Sequence, residues 1–207
     1  RRLFPAAFPN EPEPIQLGPV TKALAAFQRT IISTRSPYDR YRYDGAESAL
    51  SAAAKRGEKL FFSGEKAGCF QCHGGWNFSG AVRYAGSPLV EPAFHNTGLY
   101  STYRAPNNGL QRFTGKPEDN GRFRVPTLRN IAVTAPYMHD GSVATLAEAI
   151  DHYARGGRAA GNPARSSIVH PLTLTDDEKA DLIEFLKTLT DAELLHDPRW
   201  SAPWPAR

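Results

Sequence analysis

The sequence predicts an all-α fold in which long loops connect a small number of amphipathic helices. Apolar residues recur at the helical period in several segments, and two capping boxes mark helix starts in the C-terminal half. No segment alternates apolar and polar residues well enough to predict a strand. Residues 74–120 are rich in Gly, Pro, Asn and Ser, and a loop of that length in a compact domain usually wraps around something.

The first predicted helix covers residues 17–33, after a proline-rich, extended lead-in over residues 1–14. Its apolar positions at helical spacing are Val20, Leu24, Phe27 and Ile31. Ser36-Pro37 ends this helix, because the residue before a proline disfavours the helical conformation. The polar, tyrosine-rich segment 37–45 is interpreted as a linker.

Capping boxes open the two helices predicted near the C-terminus. The boxes are Thr145-Leu-Ala-Glu148 and Thr175-Asp-Asp-Glu178. The first helix is expected to run to about Arg155, where Gly156-Gly157 stops it. The second turns an apolar face toward a core. Its apolar residues are Leu182, Ile183, Leu186 and Leu189.

The composition is that of an ordinary globular chain with a weak positive charge. Its 207 residues are 41% hydrophobic and 22% charged, with a net charge of +4. The basic residues do not cluster, so no nucleic-acid partner is expected, although a positive face could steer an acidic protein partner. No run approaches the roughly 18 apolar residues of a membrane span. Residues 1–9 do not resemble a signal peptide, so the chain is expected to begin inside a mature, cleaved or longer protein.

Cys69-x-x-Cys72-His73 follows a helix that is predicted over residues 48–62. This spacing is typical of c-type heme attachment, in which two thiols bond to the porphyrin and the adjacent histidine binds the iron. Plainer interpretations are buried cysteines beside a surface histidine, or half of a zinc site, although no second cysteine pair exists to complete one. The sequence therefore predicts one heme c on this chain, and attachment of this kind implies export across a bacterial inner membrane.

Spacing alone leaves the sixth iron ligand open. Met138 is the only methionine, and methionine is a usual sixth ligand in cytochromes c. Tyr153 is the rival, because it shares one helix face with Leu146 and Ile150 and a buried phenol needs a partner. A core tyrosine bonded to backbone would fit the same pattern. Four histidines are further candidates, each with a structural or surface role as the favoured alternative: His95, His139, His152 and His170.

Six stretches of the chain together resemble the bacterial di-heme cytochrome c peroxidase and MauG superfamily, and most of all its MbnH-like di-heme enzymes. The stretches are Ala25-Ala-Phe-Gln-Arg-Thr30, Ser36-Pro-Tyr-Asp-Arg40, Gly68-Cys-Phe-Gln-Cys-His-Gly74, Phe94-His-Asn-Thr-Gly98, Phe123-Arg-Val-Pro-Thr-Leu-Arg-Asn130 and Thr134-Ala-Pro-Tyr-Met-His-Asp-Gly141. They follow the family's order from about residue 5 to residue 190.

The resemblance implies a protein with two domains and two hemes, of which this chain holds the C-terminal heme domain. Residues 1–44 would be the last helix of the N-terminal domain and a linker, and residues 45–195 a cytochrome c-like heme domain with long loops wrapped around the heme. Residues 196–207 would form a tail rich in proline and tryptophan. A second heme, where peroxide reacts, is then expected on a missing N-terminal part.

The resemblance also bears on the ligands. In the peroxidases, the distal methionine stands fourteen residues after the histidine of the His-Asp-Gly turn, and the same count from His139 gives Tyr153. MauG-like members have a tyrosine there, so the resemblance favours Tyr153 over Met138. Thr134 and Pro136 match positions whose backbone carbonyls bind an inter-domain Ca²⁺, with a plain turn as the alternative.

Gln28 stands where the peroxidases commonly have a glutamate that reaches the peroxide-binding heme. An amide can hydrogen-bond peroxide but cannot take its proton near neutral pH. Gln28 is thus a candidate catalytic residue that orients peroxide, unless it is simply a solvated helix residue.

The resemblance implies a periplasmic, peroxide-dependent oxidoreductase that oxidises a partner protein at tryptophan through high-valent iron. This chain would supply the six-coordinate heme with His73 and Tyr153 as iron ligands. The alternatives are a cytochrome c peroxidase that takes electrons from a small cytochrome, and a mono-heme electron carrier without catalysis. Trp200 and Trp204 in the tail could relay oxidising equivalents or dock the tail, and docking is favoured.

Overall fold

Helices and long loops make up the structure, a computed structural model that describes residues 3–82, 84–86, 93–159 and 161–202. The helices are α1 (Leu3–Ala7), α2 (Leu17–Thr30), α3 (Pro37–Tyr43), α4 (Ala52–Phe62), α5 (Gln111–Thr114), α6 (Leu146–Ala154), α7 (Asp176–Lys187) and α8 (Ala192–Leu195). Strands β1 (Phe94–His95) and β2 (Phe123–Arg124) form one short antiparallel pair. The all-α prediction is confirmed. Within the described ranges, no helix is long and apolar enough to cross a membrane.

Helices α4 and α7 form the centre of a compact unit that comprises Ser36–Asp191. Gly57 of α4 faces the backbone of Asp181, and it allows the two helices to approach closely. Four aromatic rings pack in the core that this helix pair covers, with centroids 5.2–6.2 Å apart. The rings belong to Tyr38, Phe61, Phe78 and Phe185.

Helix α3 occupies a segment that the sequence predicted to be a linker. Ser36 caps this helix, since its side chain accepts a hydrogen bond from the backbone N–H of Asp39 while the Asp39 carboxylate accepts one from the Ser36 backbone. Pro37 occupies the first helical position, where a missing N–H has no cost. The linker prediction was therefore wrong over Pro37–Tyr43, because it relied on the polar, tyrosine-rich composition and overlooked the capping box.

Side-chain amides hold the described part of the long loop over residues 74–120, where little regular structure is found. The Asn120 side chain donates to the carbonyl of Tyr103 at 2.9 Å, and the buried Asn96 side chain donates to the carbonyl of Asn120 at 3.0 Å. The Tyr103 hydroxyl in turn accepts from the backbone N–H of Leu99 at 3.1 Å. These bonds satisfy backbone groups that a strand or helix would otherwise pair.

A second unit contains the residues up to Arg35 and those from Ala192 onward. Its main element is α2, against which the tail packs: the rings of Phe27 and Trp200 meet edge to face at 5.8 Å. Trp204 lies outside the described residues. The predicted domain boundaries after residues 44 and 195 stay a prediction about the whole protein. The boundaries between the two compact units of this chain lie after residues 35 and 191.

Candidate heme site

The two cysteines and His73 stand on one tight turn that follows α4. A short 3₁₀ helix covers Cys69–Gln71, and Gly68 enters it with φ +59°, a conformation that favours glycine. The backbone N–H of His73 donates to the carbonyl of Cys69 at 2.9 Å, which closes the turn. Both thiols are free and half-buried, and burial raises the pKa of Cys69 to about 12.

The ring of His73 is fixed by two backbone carbonyls. Its Nδ1 lies 3.2 Å from the carbonyl oxygen of Phe78 and 3.2 Å from that of Pro126. Because carbonyl oxygens only accept, Nδ1 carries the proton, and Nε2 keeps a free lone pair. Burial lowers the pKa of His73 to about 4, so the ring is neutral at physiological pH. A neutral imidazole whose other nitrogen is bonded to carbonyl is the usual form of a metal-binding histidine.

Tyr153 lies on α6, whose start is fixed by a capping box between Thr145 and Glu148. Its hydroxyl makes no hydrogen bond within the part of the chain that the structure describes. Burial raises the pKa of this phenol above its ordinary value, and the neighbouring Cys72 and Cys69 add to the rise. The phenol therefore lies within electrostatic range of both thiols of the turn.

These residues fit a covalently bound heme. Two thiols, the free Nε2 of His73 and the unpaired hydroxyl of Tyr153 are the groups that a porphyrin and its iron require on a cytochrome c chain. Among the described residues, no group of three or more His, Cys, Asp or Glu side chains could hold a metal ion.

Met138 and His139 belong to the turn before α6. Met138 has φ +70° and is half-buried, and no described contact directs its side chain toward the cysteines. The His139 ring stacks on Phe123 with centroids 3.9 Å apart, and burial lowers its pKa although Asp140 opposes the shift. His139 therefore has a packing partner of its own.

The other candidate histidines also have protein partners. His152 is buried on α6, where its Nε2 contacts the carbonyl of Thr97 at 3.1 Å. His95 pairs with the hydroxyl of Ser166 at 3.3 Å, and the exposed His170 contacts the carbonyl of Pro171. Each of these three rings therefore contacts a protein group through one nitrogen, although the buried Nδ1 of His152 has no hydrogen-bond partner among the described residues.

The predicted calcium residues stand on an exposed turn. Thr134 and Pro136 are both exposed, and neither carbonyl accepts a hydrogen bond from the described residues. Gln28 is exposed on α2 of the other unit. Within the described ranges, the Gln28 side chain has no hydrogen-bond partner that would reveal a role.

Sequence reasoning did not assign roles to Asp39 and Arg129, which form a buried ion pair beside the heme turn. The two residues are 90 positions apart and meet with Nη1–Oδ2 2.7 Å. Both lie in stretches that carry the family resemblance, Ser36-Pro-Tyr-Asp-Arg40 and Phe123-Arg-Val-Pro-Thr-Leu-Arg-Asn130. The sequence signal that could have found them was the presence of one acid and one base in two separate family motifs.

Comparison with known families agrees with this geometry. Residues 1–48 match the family described as "Di-haem cytochrome c peroxidase", and residues 54–190 match the family described as "Cytochrome c". The chain belongs to the di-heme cytochrome c peroxidase and MauG family. Heme c is the cofactor of such cytochrome c domains, as the Cys69–Cys72 pair predicted.

Individual members of the MauG family match at moderate identity. The methylamine utilization protein MauG of Methylorubrum extorquens is 40% identical over 191 residues, which are 90% of this chain and 48% of that protein. The cytochrome-c peroxidase IdrP1 of Pseudomonas sp. (strain SCT) is 40% identical over 85% of this chain and 50% of its own. The chain spans about half the length of these curated relatives.

A solved structure with the same fold superimposes on this chain with a TM-score of 0.87 at 47% identity. The aligned region covers 99% of this chain and 62% of the chain in that structure. That structure is of a MauG-like protein associated with microbial copper homeostasis. The diheme peroxidase BthA of Burkholderia thailandensis E264 superimposes with a TM-score of 0.55 at 25% identity over 82% of this chain and 50% of its own.

Proposed function

We propose that the whole protein is a peroxide-dependent di-heme oxidoreductase that oxidises a partner protein at tryptophan. This chain supplies the six-coordinate heme, which is attached at Cys69 and Cys72 with His73 and Tyr153 as iron ligands. A second heme lies in the part of the protein that its relatives have beyond this chain, and hydrogen peroxide reacts there. The protein acts in the bacterial periplasm, since c-type heme is attached after export.

The observation that carries the proposal is the position of Tyr153. Tyr153 is half-buried within electrostatic range of both thiols, and its hydroxyl has no hydrogen-bond partner among the described residues. A bound heme iron supplies a site that can store oxidising equivalents, and an anionic phenolate ligand favours its oxidised states more than a methionine does. Storage of oxidising equivalents suits a protein that oxidises a large partner at a distance.

His73 and Tyr153 have different tasks in this arrangement. The Nδ1–H of His73 donates to the carbonyls of Phe78 and Pro126, which fixes the ring and increases the basicity of Nε2. Tyr153 is half-buried on α6, and the capping box at the start of this helix fixes the helix that holds the ring. Both groups are thus oriented by the fold before they meet the iron.

The remaining assignments concern the contact with the peroxide-binding part. Gln28 orients peroxide by hydrogen bonding and leaves proton transfer to another group. The carbonyls of Thr134 and Pro136 bind an inter-domain Ca²⁺. This ion prefers oxygen ligands, both carbonyls and carboxylates, and completes its coordination shell with water. Their exposure and their lack of protein donors support this assignment.

Ligation is tested on the full-length, heme-loaded protein by ferric electron paramagnetic resonance and resonance Raman spectroscopy. Tyr153→Phe should abolish the phenolate–iron vibration and change the ferric spectrum, because the ring is kept and only the oxygen is lost. Met138→Leu is the matched control and should leave both spectra unchanged. A spectrum that changes in Met138→Leu and not in Tyr153→Phe would refute the proposal.

Function is tested by adding one equivalent of hydrogen peroxide without any donor. An absorption change that lasts for minutes, and decays faster when a tryptophan-containing peptide is added, supports protein oxidation. A short-lived change with rapid turnover of a reduced small cytochrome c would instead support the peroxidase alternative, which relatives such as IdrP1 make a serious candidate. No response to peroxide would exclude both and favour an electron carrier.

A further inference from the structure

Asp39 and Arg129 form an ion pair in which both side chains are buried. The guanidinium makes two parallel bonds to the carboxylate, Nη1–Oδ2 at 2.7 Å and Nη2–Oδ1 at 2.9 Å. Only 2% of the Arg129 side chain and 5% of the Asp39 side chain are exposed. Every other ion pair among the described residues has at least one partner that is more exposed. A pair this deep in the protein is kept only where its remaining donors and acceptors are satisfied.

Further hydrogen bonds satisfy both members of the pair. Asp39 Oδ2 also accepts from the backbone N–H of Ser36 at 2.9 Å and from its hydroxyl at 2.7 Å. Arg129 directs Nε to the carbonyl oxygen of Trp76 at 3.0 Å, and Nη2 bonds to the same oxygen. The guanidinium therefore bridges α3 and the loop of residues 74–80, which follows His73.

The same loop holds one of the two acceptors of His73. The carbonyl of Phe78 accepts from the Nδ1–H of His73, and so does the carbonyl of Pro126 in the segment that leads to Arg129. The rings of Trp76 and Phe78 also contact the guanidinium, with centroids 5.7 Å and 5.5 Å from its carbon. Arg129 thus contacts the residues that place the Phe78 carbonyl, and it belongs to the segment that carries the Pro126 carbonyl.

Thr127 reinforces the same connection. Its hydroxyl donates to the carbonyl of Asn77 at 2.6 Å, and the backbone N–H of Leu128 donates to the carbonyl of Phe78 at 3.3 Å. The backbone N–H of Arg129 donates to the Thr127 oxygen at 3.1 Å. The segment 126–129 is therefore bonded to three successive residues of the loop, and we call this set of contacts the histidine clamp.

We propose that the Asp39–Arg129 pair, with Thr127, is a positioning device for His73 that sets the reduction equilibrium of the heme on this chain. A firm Nδ1–H bond increases the basicity of Nε2, and a more basic ligand favours ferric over ferrous iron. Loosening the clamp weakens the bond to Phe78 and shifts the equilibrium toward ferrous iron. The inference rests on His73 as the iron ligand of the proposed function.

Arg129→Lys tests the clamp in the full-length, heme-loaded protein. Lysine keeps a positive charge beside Asp39, but one ammonium cannot both make the two parallel bonds to the Asp39 carboxylate and bond to the Trp76 carbonyl. The expected result is a shift of roughly tenfold in the reduction equilibrium of the six-coordinate heme, equal to about +59 mV in its midpoint potential. The ferric electron paramagnetic resonance spectrum should change as well, with heme content unchanged because the thioether bonds remain.

Arg56→Lys is the matched control. Arg56 also forms a two-bond pair, with Nε and Nη2 each 2.7 Å from the carboxylate of Asp181, and this pair joins α4 to α7 away from the loop after His73. It should lower stability somewhat and leave the potential unchanged. If Arg129→Lys shows the same potential as Arg56→Lys and the parent, the buried pair only stabilises the fold and the proposal is wrong.

Thr127→Val keeps the test decisive if Arg129→Lys does not accumulate. Thr127 is exposed and valine has its shape, so the protein should fold while the bond to Asn77 is lost. A smaller shift of the potential in the same direction supports the clamp, and an unchanged potential overturns it. A parent protein whose spectra exclude His73 ligation would refute the proposed function separately, before any variant is compared.

Discussion

Replacing Gly57 by alanine tests the close approach of α4 and α7, on which the heme domain depends. A Cβ at this position would overlap the carbonyl oxygen of Asp181 and would come within 2.6 Å of its carbonyl carbon and 2.8 Å of the Phe185 Cβ. Real Cβ contacts begin at 3.0 Å, and a backbone carbonyl cannot rotate away as a side chain can. The helices must therefore separate.

The cost follows from two opposing terms. Overpacking a core costs about 1–3 kcal/mol, and a clash with backbone belongs at the upper end of that range. Alanine in a helix interior regains about 1 kcal/mol relative to glycine. The net loss is about 2 kcal/mol, which lowers the melting temperature by roughly 4–8 °C for a chain of this size. Thermal unfolding of the heme-loaded protein, followed by far-UV circular dichroism, measures it.

Gly64→Ala is the control for this prediction, because Gly64 has no left-handed φ and no atom lies within 4 Å of a Cβ built there. It should leave the melting temperature unchanged or raise it by a few degrees. If Gly57→Ala is as stable as Gly64→Ala, α4 and α7 do not approach as closely as described, and the account of the core is wrong.

Three further substitutions test local parts of the structure. Thr145→Ala removes one half of the capping box with Glu148. It should lower the free energy of unfolding by about 1 kcal/mol in denaturant unfolding. An unchanged denaturant midpoint would mean that the cap contributes nothing. The hydrogen bond from Lys66, followed by the backbone bond at the helix start, lowers the pKa of Glu178. The ionised carboxylate therefore stabilises the fold above pH 4.5, and this contribution is lost as the pH falls below that value. Between pH 7 and pH 4, Glu178→Gln should lose less stability than the parent, and equal losses would contradict this. Gly121→Ala places a side chain at φ +71° against the ring of Tyr103. It should lower the free energy of unfolding by about 2–4 kcal/mol in thermal unfolding. A change below about 0.5 kcal/mol would contradict this.

Local patterns predicted four of the eight α-helices among the described residues. The predicted helices over 17–33 and 48–62 correspond to α2 and α4, each of which is shorter than predicted at one end. The capping boxes at Thr145 and Thr175 mark the starts of α6 and α7, because a cap depends on residues three positions apart and on nothing distant. A capping box also begins α3, and there the polar, tyrosine-rich composition of the segment misled the prediction.

The sequence by itself determined the heme attachment turn and the inward face of α6, since both depend on spacings of a few residues. Only the tertiary structure decided what surrounds them. The two acceptors of His73, Phe78 and Pro126, lie 5 and 53 positions along the chain, and Arg129 reaches Asp39 across 90 positions. Such contacts depend on how α4, α7 and the loops pack together, and packing is a property of the whole core that no local spacing records.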